Sequence, residues 1–423
     1  MKVFVCQEQM PVGAMKINQT IKKSKKGNES NSFPYAIILT LTRIINMQNI
    51  KIITILISMT LIFGGCSNNS RNIVKLESTE VTKLNLGNPI RIVILERTAE
   101  SQLESIKKTA IDLPNNRIFV LSDFNLFIFD TDGKFLTKLK KGKGPGEISK
   151  IIYFSVDRDQ KLIYATQDRA NVICTIDYNG NIKRTHTLFD YHCQAIEPLD
   201  NLNVLLVNNT VSNTDPYFIG NCNLEKDTIT KRYISANNSE YPLLAYAMVS
   251  NFTKSNGRLY FANANIFGLF EYKDNNFKKI LSYDLGNRKV PKSFSEQFEP
   301  KRRMGVFQDE AKRRGFVPKL ISSFFFKGYN LVILEDENNS CYAIKSNDYQ
   351  TVYLNGSIAD YFNLPNVESL KNIVEVNQDY LTFSCEPLDF YDINEVNKTK
   401  NLNIGNFNID FNYDSNPFLI VVE

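Results

Sequence analysis

The 423-residue chain has no tryptophan and only two histidines, His186 and His192. Two imidazoles exclude a zinc site built on three histidines of one chain. A Ser-His-Asp arrangement would need one of these two, and no G-x-S-x-G nucleophile elbow accompanies them. Cysteine is sparse, seven residues in all, with no C-x-x-C pair and no Cys/His cluster at zinc spacing. Cys174 in VICTID and Cys341 in SCYAIK stand inside apolar stretches and read as buried thiols. A basic excess is missing too, once the leader is set aside. The formal charge is +5, but residues 1–65 hold eight basic and two acidic side chains, which leaves 42 basic against 43 acidic from residue 66 onward. The folded part therefore lacks the electrostatic footprint of a nucleic-acid partner.

The apolar run Ile52–Phe63 is too short to span a bilayer comfortably. With Met47 and Lys51 before it and Gly64-Gly65-Cys66 behind it, it has the layout of a secretory signal. Small residues directly before a cysteine resemble a bacterial lipobox, here with Phe63 where Leu is usual. That resemblance implies cleavage before Cys66 and lipid on its thiol. The expected organisation is a signal peptide over 47–65, a polar tether over 66–75 and the folded domain over 76–423. Residues 1–46, with the basic run IKKSKKG, read as upstream translation ahead of a true start at Met47. No acidic side chain stands between Cys66 and Glu77, so the expected anchor is in the outer membrane, facing the periplasm.

What the chain has in quantity is phenylalanine (29), tyrosine (20) and turn-forming asparagine. Aromatics favour strands, where a large side chain packs across a pleated surface. The strands recur as a repeat of roughly 40–50 residues, a period typical of propeller blades. The copies begin at Glu104, Ile148, Gln194, Leu243, Lys319 and Leu370. The first reads RIFVLSD, LFIFD, a TDGK turn and FLTKLK. Asp132-Gly133 and Asn179-Gly180 are hairpin signals of the type I′ kind, with positive φ at both positions. The sequence thus predicts an all-β, six-bladed β-propeller of about four strands per blade, with a short helical insertion between blades 4 and 5. In the sixth copy LDFYDI is read as the third strand. Either RIVILE (91–96) or PFLIVVE (417–423) is expected to supply the missing outer strand.

The lipobox leader, the strand-turn-strand FDTDGKFL and the loop GKGPGE together resemble the six-bladed β-propeller lipoproteins of the Bacteroidetes. Their first blade ends in a G-x-G-P-G-E loop, and their last strand opens with Asn-Pro and apolar residues, as Asn416-Pro417-Phe418-Leu419-Ile420 does. The resemblance implies a fold and an envelope location, and no activity.

In a propeller, the connections from one blade's outer strand to the next blade's inner strand share a face with the turns between second and third strands. On that face the sequence places Lys143 and Glu147 of GKGPGE, and the basic pairs Arg302, Arg303 and Arg313, Arg314, eleven residues apart. That spacing is about three helical turns, so the pairs are able to share a helix face and focus positive charge at the channel mouth. The middle turns add Asp123, Asn125, Asp168, Arg169, Asn263, Asn265, Glu335 and Asp336. GKGPGE itself lacks the G-K-[ST] that opens a P-loop helix and reads as a blade connector. The expected function is binding or scaffolding of a saccharide, peptide or envelope protein, with no cofactor, metal site or catalytic set assigned. The alternative is a propeller hydrolase or lactonase with a channel-bound divalent cation. For that the inner strands offer Glu197, Asn251 and Glu375 without a matching set.

Overall fold

Runs of β-branched and aromatic residues make the strands, and aspartates fold the chain back between them. The Asp130 carboxylate accepts hydrogen bonds from the backbone N–H groups of Asp132 (3.0 Å) and Lys134 (2.8 Å). Asp177 does the same with Asn179 and Asn181, at 3.0 and 2.9 Å. In both turns only the glycine has positive φ, +88° at Gly133 and +82° at Gly180. These are therefore three-residue turns closed by a left-handed glycine, not the type I′ turns expected. The aspartate side chain holds the first half of the turn, so one left-handed residue suffices. Paired positive φ occurs instead at Asp123-Phe124, Asn256-Gly257, Asp274-Asn275 and Lys327-Gly328.

The structure, a computed structural model, describes residues 73–423 apart from 77–83, 143, 145–146, 169–170, 190, 201, 209–214, 237–249, 299–303, 338, 346–350, 355–357, 366, 372, 378 and 393–397. Two strands come first, β1 (Ile73–Lys75) and β2 (Pro89–Ile94). Blade 1 is β3 (Ile106–Asp112), β4 (Arg117–Ser122), β5 (Asn125–Phe129) and β6 (Phe135–Lys138). Blade 2 is β7 (Ile151–Asp157), β8 (Leu162–Gln167), β9 (Val172–Asp177) and β10 (Ile182–Thr187). Blade 3 is β11 (Cys193–Pro198), β12 (Asn203–Asn208), β13 (Tyr217–Asn223) and β14 (Thr228–Ser235). Blade 4 is β15 (Ser250–Ser255), β16 (Arg258–Asn263), β17 (Ile266–Lys273) and β18 (Asn276–Asp284). The expected helical insertion follows as α1 (Lys292–Ser295) and α2 (Met304–Arg313). Blade 5 is β19 (Lys319–Phe326), β20 (Tyr329–Glu335), β21 (Cys341–Lys345) and β22 (Thr351–Leu354). Blade 6 contains β23 (Ile373–Val376), β24 (Leu381–Cys385) and, after the hairpin β25 (Lys400–Ile404) and β26 (Phe407–Phe411), β27 (Phe418–Val422).

Blades 1 to 5 follow chain order from inner to outer strand, and the six sheets form a ring, a six-bladed β-propeller. Blade 6 runs β23-β24-β27-β2. Both terminal segments are thus used, β27 as third strand and β2 as outer strand. LDFYDI is not a strand: Pro387–Phe390 form a 3₁₀ turn. Pro387 has no N–H to give a ladder, so the pattern there breaks off. The last residues of the expected tether, Ile73–Lys75, form β1, a fifth strand laid parallel to β18. Among the described residues no helix is long and apolar enough to cross a membrane.

Apolar side chains gather between neighbouring blades rather than in one centre. Phe119, Ile128, Phe154 and Ile163 fill the gap between blades 1 and 2. Phe218 and Phe261 lie between blades 3 and 4. Phe294 and Phe307 of the insertion join the cluster between blades 4 and 5. Cys174, Cys193, Cys222, Cys341 and Cys385 are buried in the blades as thiols, not as disulfides. Burial pushes Cys193, Cys222 and Cys341 up to about 12.

Closure rests on β27. Ile420 stands opposite Phe383 of β24 on one side and Ile92 of β2 on the other. All five β27 side chains are buried, a contribution of about 10 kcal/mol from apolar burial alone. Just before it, Asn416 is only 2% exposed. Its Nδ2 donates to the carbonyls of Glu96 (2.9 Å) and Ser101 (2.8 Å), and its Oδ1 accepts from the N–H of Leu103 (2.9 Å). The Asn-Pro opening of the last strand is therefore a clamp on the N-terminal segment. Gly133 completes the seam. Its carbonyl accepts from the N–H of Glu96 (2.8 Å), and a Cβ there would collide with the carbonyl oxygen of Ile94.

Asn416→Ala, which orphans two carbonyls and an N–H, is expected to lower unfolding free energy by about 2–4 kcal/mol in urea denaturation. Gly257→Ala, at positive φ but in open space, should cost about 1–2 kcal/mol. Gly133→Ala should cost at least about 2 kcal/mol more, since the closing strand has to move. Equal losses at the two glycines would disprove the close approach.

Candidate functional site

The first strand of every blade contributes to the wall of one central channel with a cavity of about 680 Å³. That volume lies within the range of small-molecule sites. The innermost strand pairs carry a register irregularity at its start in five blades, between Ile106/Lys108, Ile151/Tyr153, Cys193/Ile196, Leu320/Ser322 and Ile373/Glu375. A bulge re-aims the side chains that follow it. Here it brings Lys108, Tyr153, Ser322 and Glu375 into the lining.

Two carboxylates and their partners dominate the polar wall. Glu375 of β23 accepts from the N–H of Ile111 (3.0 Å), the Arg158 guanidinium (3.3 Å) and the Tyr380 hydroxyl (3.3 Å). Arg158 and Tyr380 each also donate to the Ile111 carbonyl at 3.0 Å. Burial pushes the Glu375 carboxyl above its ordinary 4.5, against the pull of Arg158, the Ile111 N–H, Lys108 and Tyr380. Glu197 of β11 accepts from the Ser155 hydroxyl (2.8 Å) and pairs with the Lys254 ammonium (2.6 Å). Lys108 of β3 donates to the Tyr153 hydroxyl at 3.1 Å. Burial works to lower its ammonium, but Tyr153, Glu197 and Glu375 more than offset this and hold it above 10.5. Lys108 is accordingly a fixed positive charge at neutral pH.

The described residues of the candidate binding face lie at the end of the ring that carries the middle turns and blade-to-blade connections, and none lines this channel; of the inner-strand residues weighed for a cation, Glu197 and Glu375 do. Most spend their polar groups on the fold. The Glu147 carboxylate accepts from the N–H of Gly144 (2.7 Å) and closes the glycine-rich connector. Asn125 donates to the Asp123 carbonyl (2.8 Å), and Asn263 accepts from the N–H of Asn265 (2.9 Å). Asp168 takes the Ser149 hydroxyl at 2.7 Å. Arg313 and Arg314 both turn onto Glu310, at 2.7 and 2.9 Å. Glu335 binds Lys312 and Lys319, and Asp336 binds Arg288. Cys66, Lys143, Arg169, Arg302 and Arg303 lie outside the described residues, as does the side chain of Asn251. His186 of β10 sits between Asp227, in the turn before β14 (2.7 Å), and Thr175 of β9 (3.5 Å), a triad-like row that does not line the channel. Among the described residues no three His, Cys, Asp or Glu side chains gather as a metal site.

A profile described as "Domain of unknown function (DUF4934)" matches residues 71–423, all six blades and β1. The chain belongs to the DUF4934 family. No curated protein matches it. Its fold is similar to that of a protein from Bacteroides fragilis named as a candidate exported protein, with a TM-score of 0.61 and 13% identity, over 83% of this chain and 98% of that one. A DUF4221 family member from Bacteroides vulgatus shares 10% identity at a TM-score of 0.48, over 80% of this chain and 99% of that one. At these identities the likeness concerns the fold alone.

In this DUF4934 chain, sequence reasoning reached Glu197 and Glu375 but missed Lys108, Tyr153, Arg158 and Lys254. The available signal was polar residues on the first strand of a repeat otherwise built for burial, as in IKKTAID and SNFTKS. Because the folded state holds the Glu375 proton above 4.5, its stabilising contribution is present below that value and lost as pH rises through the folded one. Relative to Glu375→Gln, the wild type should therefore gain stability on acidification through the carboxylate range, in denaturation series at several pH values. A difference curve of opposite slope would show a carboxylate stabilised in its charged form.

Proposed function

We propose that this protein is a lipid-anchored binding protein of the cell envelope that holds a small ligand in the central channel of its propeller. The observation that carries the reading is the channel itself: a cavity of ligand size whose polar wall is assembled from six separate strands. Its two inner-strand carboxylates are already engaged by cations, Glu375 by Arg158 and Glu197 by Lys254. A divalent cation would have to displace these partners, which favours binding over the cation-dependent hydrolase. The export reading is supported by Gly64-Gly65-Cys66 behind an apolar run and by the name of the Bacteroides fragilis neighbour.

Both halves are testable in the full-length chain expressed in a Bacteroides host. An alkyne-palmitate label should enter the wild type and be absent from Cys66→Ser; equal labelling would remove the anchor. On a glycan and small-acid array, hits should disappear in Ser322→Trp, which fills the channel, while its melting midpoint stays within a few degrees. Hits retained in that variant would place binding elsewhere.

A further inference from the structure

The channel wall is not electrically balanced. Lys107, Lys108, Arg158 and Lys254 line it against Glu197, Glu375 and Asp379. Glu375 and Glu197 are each held by a cation of their own. Lys108 is different. Among the described residues its ammonium has no carboxylate within ion-pair distance, and its hydrogen-bond partner is the Tyr153 hydroxyl, 3.1 Å away. An ammonium has three hydrogens to donate, so two remain for the channel. The Tyr153 hydroxyl accepts from Lys108, and its own hydrogen is likewise free to donate. Across the ring, on blade 4, Thr253 lines the same cavity, is only 6% exposed, and keeps its buried hydroxyl oxygen without a partner. A buried hydroxyl left unpaired costs free energy that a ligand would recover. Next to it Phe252, and on blade 6 Tyr380, offer ring surface to the body of a ligand.

Resting on the channel as the ligand site, we infer that its occupant is a small hydroxylated anion, a sugar acid or sugar phosphate, whose charged group docks on Lys108 and Tyr153. The shared chemistry is an anionic oxygen group that accepts two or three hydrogen bonds, with hydroxyls on the side that faces Thr253. A neutral sugar would give the remaining hydrogens of Lys108 no anionic acceptor, and a cation would meet it as a like charge.

Calorimetric titration of the full-length protein with D-glucuronate, D-glucose 6-phosphate and D-glucose tests this. At least one anion is expected to bind about tenfold or more tightly than glucose, and the one that does identifies carboxylate or phosphate as the preferred group. Lys108→Gln should weaken that anion by about 10- to 100-fold, the effect of losing a charged hydrogen bond. Lys108→Arg, which keeps the charge, should retain most of the affinity, and this separates loss of charge from loss of fold. Anion binding lost in Ser322→Trp supports both steps. Failure of both anions to bind at about 10 mM, an affinity too weak to matter, overturns the inference. So does glucose binding as tightly as the anions, or anion binding indifferent to Lys108→Gln. If neutral ligands bind and are lost only in Ser322→Trp, the channel stands as the site and its preference for anions falls. If anion binding survives Ser322→Trp, the channel reading falls with it.

Discussion

Everything in this ring depends on two strands from distant parts of the chain lying side by side. β2 and β27 pair directly, and Asn416 reaches across 320 residues of sequence to the carbonyl of Glu96. The other blade interfaces form between consecutive stretches. The cluster of Val93, Phe127, Phe129 and Leu419 joins the beginning to the end, as does Leu86 in the cluster with Ile420 and Val422. Closing so long a loop is less costly than intuition suggests, since the entropy grows with the logarithm of length. It is slow, because nothing local rewards the approach until both partners exist. Without it, β27 would present an open edge and blade 1 would lose one of its two neighbours.

The same closure builds the channel. Arg158 comes from blade 2, Glu375 from blade 6 and the Ile111 backbone from blade 1, so one polar knot spans three blades. Glu197 likewise ties Ser155 of blade 2 to Lys254 of blade 4. In each pair the carboxylate is buried and its cation is partly in water, so screening and desolvation leave little net stability. The stronger effect of the pairs is on register: a blade shifted by one residue would leave a charge unpaired inside the wall. Among the described residues blade 5 brings only Ser322 to the lining, which adds no charge on that side of the channel.

The ring was legible because strands and turns obey local rules. Six copies of an apolar strand and an Asx turn are visible without knowing any partner, and the break at residues 287–318 announced the helices. LDFYDI misled because it mimics a strand, while the true third strand waits beyond the β25–β26 hairpin. The site was less legible for two physical reasons. Asparagine and aspartate look like ligand contacts, yet Asn263 and Asp130 spend those atoms on nearby backbone N–H groups. The channel residues find partners far away, Arg158 and Glu375 being 217 residues apart. Bulges such as the one at Lys107 further alter which side chain faces inward, and alternation alone misses that.

The five buried thiols carry a consequence for how the protein comes to be. Thiol–disulfide exchange proceeds through the thiolate. With a pKa of about 12, only roughly one thiol in 10⁵ is ionised at neutral pH, so Cys193, Cys222 and Cys341 are chemically silent once folded. Before folding they ionise like any free cysteine. In an oxidising compartment the blades would therefore have to form faster than the cysteines pair with one another. The yield of native protein would then be decided by that race, and not by how stable the finished ring is.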